Sequence, residues 1–164
     1  MTPARRSDLS STAPQTRPPA AGCCRQSGNL LSVAAFLAAR GAEFVVVGGC
    51  ALLLHGRDHV PGDLDLVPEP SAANLGRLFD ALDALGSVGR VGRPTDHVLA
   101  TRDIVTRVTP VGAVDVLLRR GRADHTALAR TAVSIPVGRH AVRVASIADV
   151  VRLRLRFGKD MAGA

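Results

Sequence analysis

Two short apolar runs, and what ends each of them, constrain this chain most. Phe44 to Val47 is a β-branched run broken by Gly48 and Gly49, after which Cys50 to His55 reads as a short helix closed by Gly56. Pro61 and Gly62 then mark a turn into Asp63 to Val67, a second strand in which the acids alternate with Leu64 and Leu66. Strand, short helix, turn and strand in close succession suit an α/β layer packing.

The flanking sequence extends this pattern. Residues 1–28 are rich in Pro, Ser, Thr, Ala and Arg without any period and read as a flexible tail. One domain is expected over residues 29–160, opening near Asn29 with Leu30, Val33, Ala34, Leu37 and Ala38 at helical spacing and Gly41 as the stop. Ser71 caps a helix reaching about Leu85, with Leu75, Leu78, Phe79 and Leu82 on one face. Residues 86–95 read as a loop, and weaker strand signals follow over residues 97–101 and 105–108. Val111 to Leu118 is a stronger strand, again with one carboxylate, Asp115, among apolar neighbours. A short helix over residues 123–132 and a hairpin, 133–137 with 142–144, lead to a last helix. That helix is opened by Ser146 and Asp149 at capping-box spacing and runs to about Phe157.

Composition bounds the rest. With 164 residues the chain makes one compact domain. Hydrophobic residues are 46% of it and aromatics 2%, so the interior must be Ala, Val and Leu around Phe36, Phe44, Phe79 and Phe157. The formal charge of +7 is carried by arginine, with Lys159 the sole lysine, and favours encounter with polyanions. The chain has no Trp or Tyr to stack bases, so a dedicated single-strand surface is not indicated. Three cysteines, two of them adjacent at Cys23 and Cys24, make no disulfide framework and no spaced ligand set. No run is apolar enough to span a bilayer, and a cytoplasmic protein without a membrane partner is expected.

The chemistry lies in the acids and the glycines. Residues two apart on a strand project to one face, so Asp63 and Asp65 present two carboxylates to one point while Leu64 faces away. Two converging carboxylates repel each other unless a cation joins them, and a hard divalent ion such as Mg²⁺ suits oxygen ligands. Gly48 and Gly49, at a strand-to-helix corner, let backbone N–H groups approach an anion. A phosphate seat beside a two-carboxylate metal site is equipment for phosphoryl or nucleotidyl transfer. Among the neighbours, His55 reads as a packing or capping residue, His59 as a solvated loop residue and Cys50 as a small buried hydrophobe. Of Arg152, Arg154 and Arg156, the first and last share a helix face while Arg154 points elsewhere, and at least one is expected to reach nucleotide or acceptor.

Gly48-Gly49, the alanine-bearing short helix, His55-Gly56 and Asp63-Leu-Asp65 together resemble the DNA polymerase β-like nucleotidyltransferase superfamily. The similarity is closest to minimal and AbiEii-type members found among bacterial toxin–antitoxin systems. Gly112-Ala-Val-Asp115-Val-Leu matches the later strand that carries a third carboxylate, and Val144 to Asp149 with Gly158-Lys159-Asp160 resembles a common C-terminal segment. The resemblance implies the nucleotidyltransferase fold, a small mixed sheet with helices packed mainly on one side, a nucleoside triphosphate held at Gly48 and Gly49, and Mg²⁺ held by Asp63 and Asp65. It implies that Asp115 helps to hold a metal and takes the proton of an acceptor hydroxyl, on RNA, tRNA above all, or on protein, as the hydroxyl strikes the α-phosphorus and expels pyrophosphate. An antitoxin partner is implied as well.

The chain departs from that pattern where many relatives have Ser after the first Gly and Arg-x-Thr before the metal strand; Gly49, His59 and Pro61 stand there instead. Arg57 is the candidate to take over the phosphate contact. A lysine usual in the last helix is replaced by Arg154. A binding or regulatory protein that keeps the fold without turnover is therefore the second expectation, and a Mg²⁺-dependent nuclease, in which the glycine corner lacks a purpose, is the third.

Overall fold

A computed structural model of the chain describes residues 24–89, 101–118 and 124–156. Its strands are β1 (Phe44–Val47), β2 (Asp63–Pro68), β3 (Ile104–Thr109), β4 (Gly112–Leu117), β5 (Val133–Val137) and β6 (His140–Val144). The helices are α1 (Cys24–Ala39), α2 (Gly48–Leu54), α3 (Ala72–Ala84), α4 (His125–Thr131) and α5 (Ile147–Arg156). The strands form one six-stranded sheet in the order β3-β4-β2-β1-β6-β5. Pairings β1–β2, β3–β4 and β5–β6 are antiparallel, whereas β2–β4 and β1–β6 are parallel, so the expected mixed α/β sheet is present.

The parallel β2–β4 pairing is what matters for the site. Two antiparallel neighbours can be joined by a turn, but parallel ones need a long connection. Here that connection contains α3 and the outer strand β3, and it returns β4 beside β2 with Asp65 opposite Asp115. Leu64, Leu66, Val114 and Val116, which alternate with the acids, are wholly buried in the core with Leu37, Leu78 and Leu82. Burying side chains of this size contributes on the order of 1.5–3 kcal/mol each. A one-residue slip would push carboxylates into that core, so the hydrophobic set locks the register.

Polar locks hold the helices to the sheet. Asn74, fully buried in α3, donates through Nδ2 to the carbonyls of Glu43 (2.8 Å) and Glu69 (2.9 Å) and accepts from the Glu43 N–H (2.8 Å). It thus binds α3 to the chain just before β1 and just after β2. Ser71 caps α3 as expected, accepting from the Asn74 N–H at 3.3 Å. On α5 the Asp149 N–H bonds Ser146 Oγ (3.2 Å), and Ser146 Oγ donates back to Asp149 Oδ2 (2.6 Å).

Two of the boundaries that differ from expectation bear on the site or the start of the fold. Helix α1 starts at Cys24 rather than Asn29, and α2 starts at Gly48, so the glycine pair is the first turn of a helix and not a break before one. The 97–101 strand signal falls mostly, and the Gly158-Lys159-Asp160 ending wholly, outside the described residues, as do residues 1–23 of the tail.

Candidate metal and phosphate site

Asp63 and Asp65 sit two apart on β2, and Asp115 lies beside Asp65 on β4, so all three project from one face of the sheet. One carboxylate oxygen of each can be chosen so that all three lie within 4.8 Å of one another. This spacing brings three hard oxygen ligands within reach of one divalent ion, and the donor set suits Mg²⁺, Mn²⁺ or Ca²⁺ better than a thiophilic metal. The Asp115 carboxylate is held from the next strand: Thr106, opposite Asp115 on β3, donates its hydroxyl to Asp115 Oδ1 at 2.6 Å. Arg119 and Arg120, the basic residues that follow Asp115 in sequence, lie outside the described residues.

Gly48 and Gly49 meet the acids from the side. Gly48 has φ +65°, and a Cβ built on it would fall 1.9 Å from Asp65 Oδ2, so a side chain there would occupy the carboxylate's own volume. A Cβ on Gly49 would fall 2.7 Å from His59 Nε2 and 3.2 Å from Pro61 Cβ. The corner is therefore built of glycine first for its own packing, with Gly48 making room for Asp65 and Gly49 for His59.

These residues surround a cavity of about 300 Å³. Gly48, Gly49, Asp63, Asp65 and Asp115 all line it, joined by His59, Pro61, Ile104, Leu117 and, from α5, Leu153 and Arg154. Arg57 is exposed and is not among these lining residues. The reason is the seven-residue helix between. It carries the chain roughly 10 Å from the glycine corner before Gly56 turns it back, so a residue just past the turn stays at the far end. The guanidinium at the cavity wall belongs to Arg154 instead, while Arg152 pairs with Asp149 at 2.7 Å.

His59 is half-buried at the cavity rather than solvated, and its pKa is held below the ordinary histidine value by burial and then by Arg154. It is neutral at neutral pH and brings hydrogen bonding rather than charge. His55 does pack structurally: its Nε2 lies 2.8 Å from the Ala145 carbonyl, and since a carbonyl only accepts, Nε2 carries the hydrogen. Cys50, fully buried behind the acids, donates to the Asp63 carbonyl at 3.3 Å. Burial, then the charges of Asp65 and Asp63, push its thiol up to about 12, so it is not a thiolate nucleophile.

Thr106, His59 and the placing of Arg154 were not assigned to the site from sequence. For Thr106 a signal existed in the strand over residues 105–108, but its partner depends on a register that no local pattern shows.

No protein-family model matches this chain, and no curated protein matches it. Among solved structures, a protein of Thermotoga maritima described as a "putative nucleotidyltransferase" superposes with a TM-score of 0.57 at 13% identity, over 77% of this chain and 81% of the other. Two Helicobacter pylori structures, one described in the same words and the other named JHP933, share 18% identity each. Their TM-scores are 0.46 and 0.45, and the chain spans 56% of the length of each. The fold is that of the nucleotidyltransferases.

Proposed function

We propose that this protein is a Mg²⁺-dependent nucleotidyltransferase, moving a nucleoside monophosphate from a nucleoside triphosphate to a hydroxyl on RNA, with tRNA the first candidate, or on a protein. One observation carries the reading: Asp63, Asp65 and Asp115 converge on one point beside the Gly48 corner, in a sheet of the nucleotidyltransferase fold. A divalent ion held by the three carboxylates would neutralise charge on the phosphates as the bond to the leaving group breaks. The chain's own residues do the rest. Arg154 lines the cavity, where its guanidinium would meet the triphosphate. The Gly48–Gly49 corner accepts the triphosphate against its backbone because no side chain stands in the way. Asp115 takes the proton of the attacking hydroxyl, whose oxygen bonds to the α-phosphorus while the bond to the bridging oxygen breaks and pyrophosphate leaves.

The resemblance to toxin–antitoxin nucleotidyltransferases makes a cognate antitoxin the first protein partner to test. A cytoplasmic site of action is part of the same proposal, and no helix among the described residues is long and apolar enough to cross a membrane. The deciding experiment incubates the protein with labelled nucleoside triphosphates, Mg²⁺, tRNA and a cell extract. Label should pass to one macromolecule with the wild type and not with Asp63→Ala or Asp65→Ala, where loss of at least a thousandfold is expected for a group acting on the transferred phosphorus. Transfer by Asp63→Ala equal to wild type would dismiss the reading.

One observation favours a second reading, a nucleotide-binding regulator without turnover. A neutral His59 stands over Gly49 where many relatives carry a cationic motif. Calorimetry separates the two, because metal-dependent triphosphate binding without transfer to any acceptor supports the regulator.

A further inference from the structure

We infer that Thr106 is a positioning residue of the carboxylate centre, acting through Asp115. This rests on the metal-binding reading above. Strand β3 is the outermost strand of its side of the sheet, and its Thr106 is exposed, so the hydroxyl contributes nothing to the core. Water could satisfy it. It is instead placed 2.6 Å from Asp115 Oδ1, directly across the β3–β4 ladder. An ionised carboxylate only accepts, so the threonine hydroxyl is the donor, and its hydrogen bond stops the carboxylate from rotating about its last bond. The β-branched side chain has few rotamers on a strand, which makes it a stiff support.

The next residue explains why the support does not drift. Arg107 points to the opposite face, where it is 3% exposed and pairs with the Asp83 carboxylate at the end of α3. It also donates through Nε to Ser87 Oγ (3.1 Å) and through a terminal nitrogen to the Ser87 carbonyl (3.0 Å). A buried guanidinium bonded to Ser87 and Asp83 anchors β3 at this residue, and with it the threonine one position earlier. The arm from α3 through Arg107 and Thr106 thus presets one of three carboxylates that would otherwise swing apart under mutual repulsion.

The test is Mn²⁺ binding by calorimetry to wild type, Thr106→Val, Thr106→Ala and Thr106→Ser, with melting followed in parallel. Outer partners of metal ligands typically tune affinity by 10–100-fold. Val and Ala should weaken Mn²⁺ binding at least tenfold while the metal-free protein still melts cooperatively, and Ser should restore the affinity, which a merely structural threonine would not require. Two hydroxyl-free variants of different shape keep the test open if one fails to fold. Wild-type affinity in a folded Val or Ala variant, or failure of Ser to rescue, overturns the inference and leaves the metal reading standing. No Mn²⁺ binding by the wild type itself overturns both.

Discussion

At the scale of single residues, Gly48 carries the sharpest constraint in the molecule. Its φ of +65° is costly for any residue with a Cβ, and that Cβ would overlap the Asp65 carboxylate. Gly48→Ala should therefore destabilise the fold by about 1–3 kcal/mol and, in whatever fraction remains folded, displace Asp65. Urea denaturation with Mn²⁺ titration checks it: the expected outcome is loss of metal binding beyond what the unfolded fraction explains. Gly56, also at positive φ (+77°) but with open space around it, should show the backbone cost alone and keep metal affinity.

At the scale of elements, α5 matters because it delivers Arg154 to the cavity, and Asp149 fixes its start. Burial pushes the Asp149 carboxyl up, but the hydroxyls of Ser146 and Thr131 and the Arg152 guanidinium outweigh it, leaving its pKa below the ordinary carboxylate value. A carboxylate depressed on folding contributes stability that is fully present above its unfolded pKa, near 4, and is lost as pH falls through the lower folded value. Acid titration of stability should therefore show a loss below about pH 4 that Asp149→Ala lacks. The same variant should cost about 2 kcal/mol at neutral pH, through the stranded hydroxyls of Ser146 and Thr131.

At the scale of the whole molecule, three carboxylates gathered on one sheet face repel one another, and a bound cation would relieve that repulsion. An ion that binds the native state and not the unfolded chain stabilises by about 2.7 kcal/mol at a hundred times its dissociation constant. Mg²⁺ or Mn²⁺ should accordingly raise the melting temperature, and a chelator should return it to the metal-free value. In Asp65→Asn the metal-free protein should melt no lower than wild type, and the ion should add little. A melting temperature indifferent to divalent ions in the wild type would argue against the centre.

Much of this is legible in the amino-acid sequence. The strands from Phe44 to Val47 and from Asp63 to Val67, the Ser71 cap, the hairpin of β5 with β6 and the alternation that puts Asp63 and Asp65 on one face all follow from local spacing and local turn chemistry. These are short-range properties, set by a few neighbouring residues. Arg57 against Arg154 shows where that information ends, for the two are about a hundred residues apart and only the packing of α2 with α5 decides which guanidinium reaches the cavity. His59 over Gly49 and Thr106 across from Asp115 are likewise products of side-chain shape and sheet register. The chain's local pattern determined which elements form and that two carboxylates share a face. The burial of Leu64, Leu66, Val114 and Val116, which holds β4 parallel to β2, brought the third carboxylate beside them, because only a packed core can fix the register of strands so far apart along the chain.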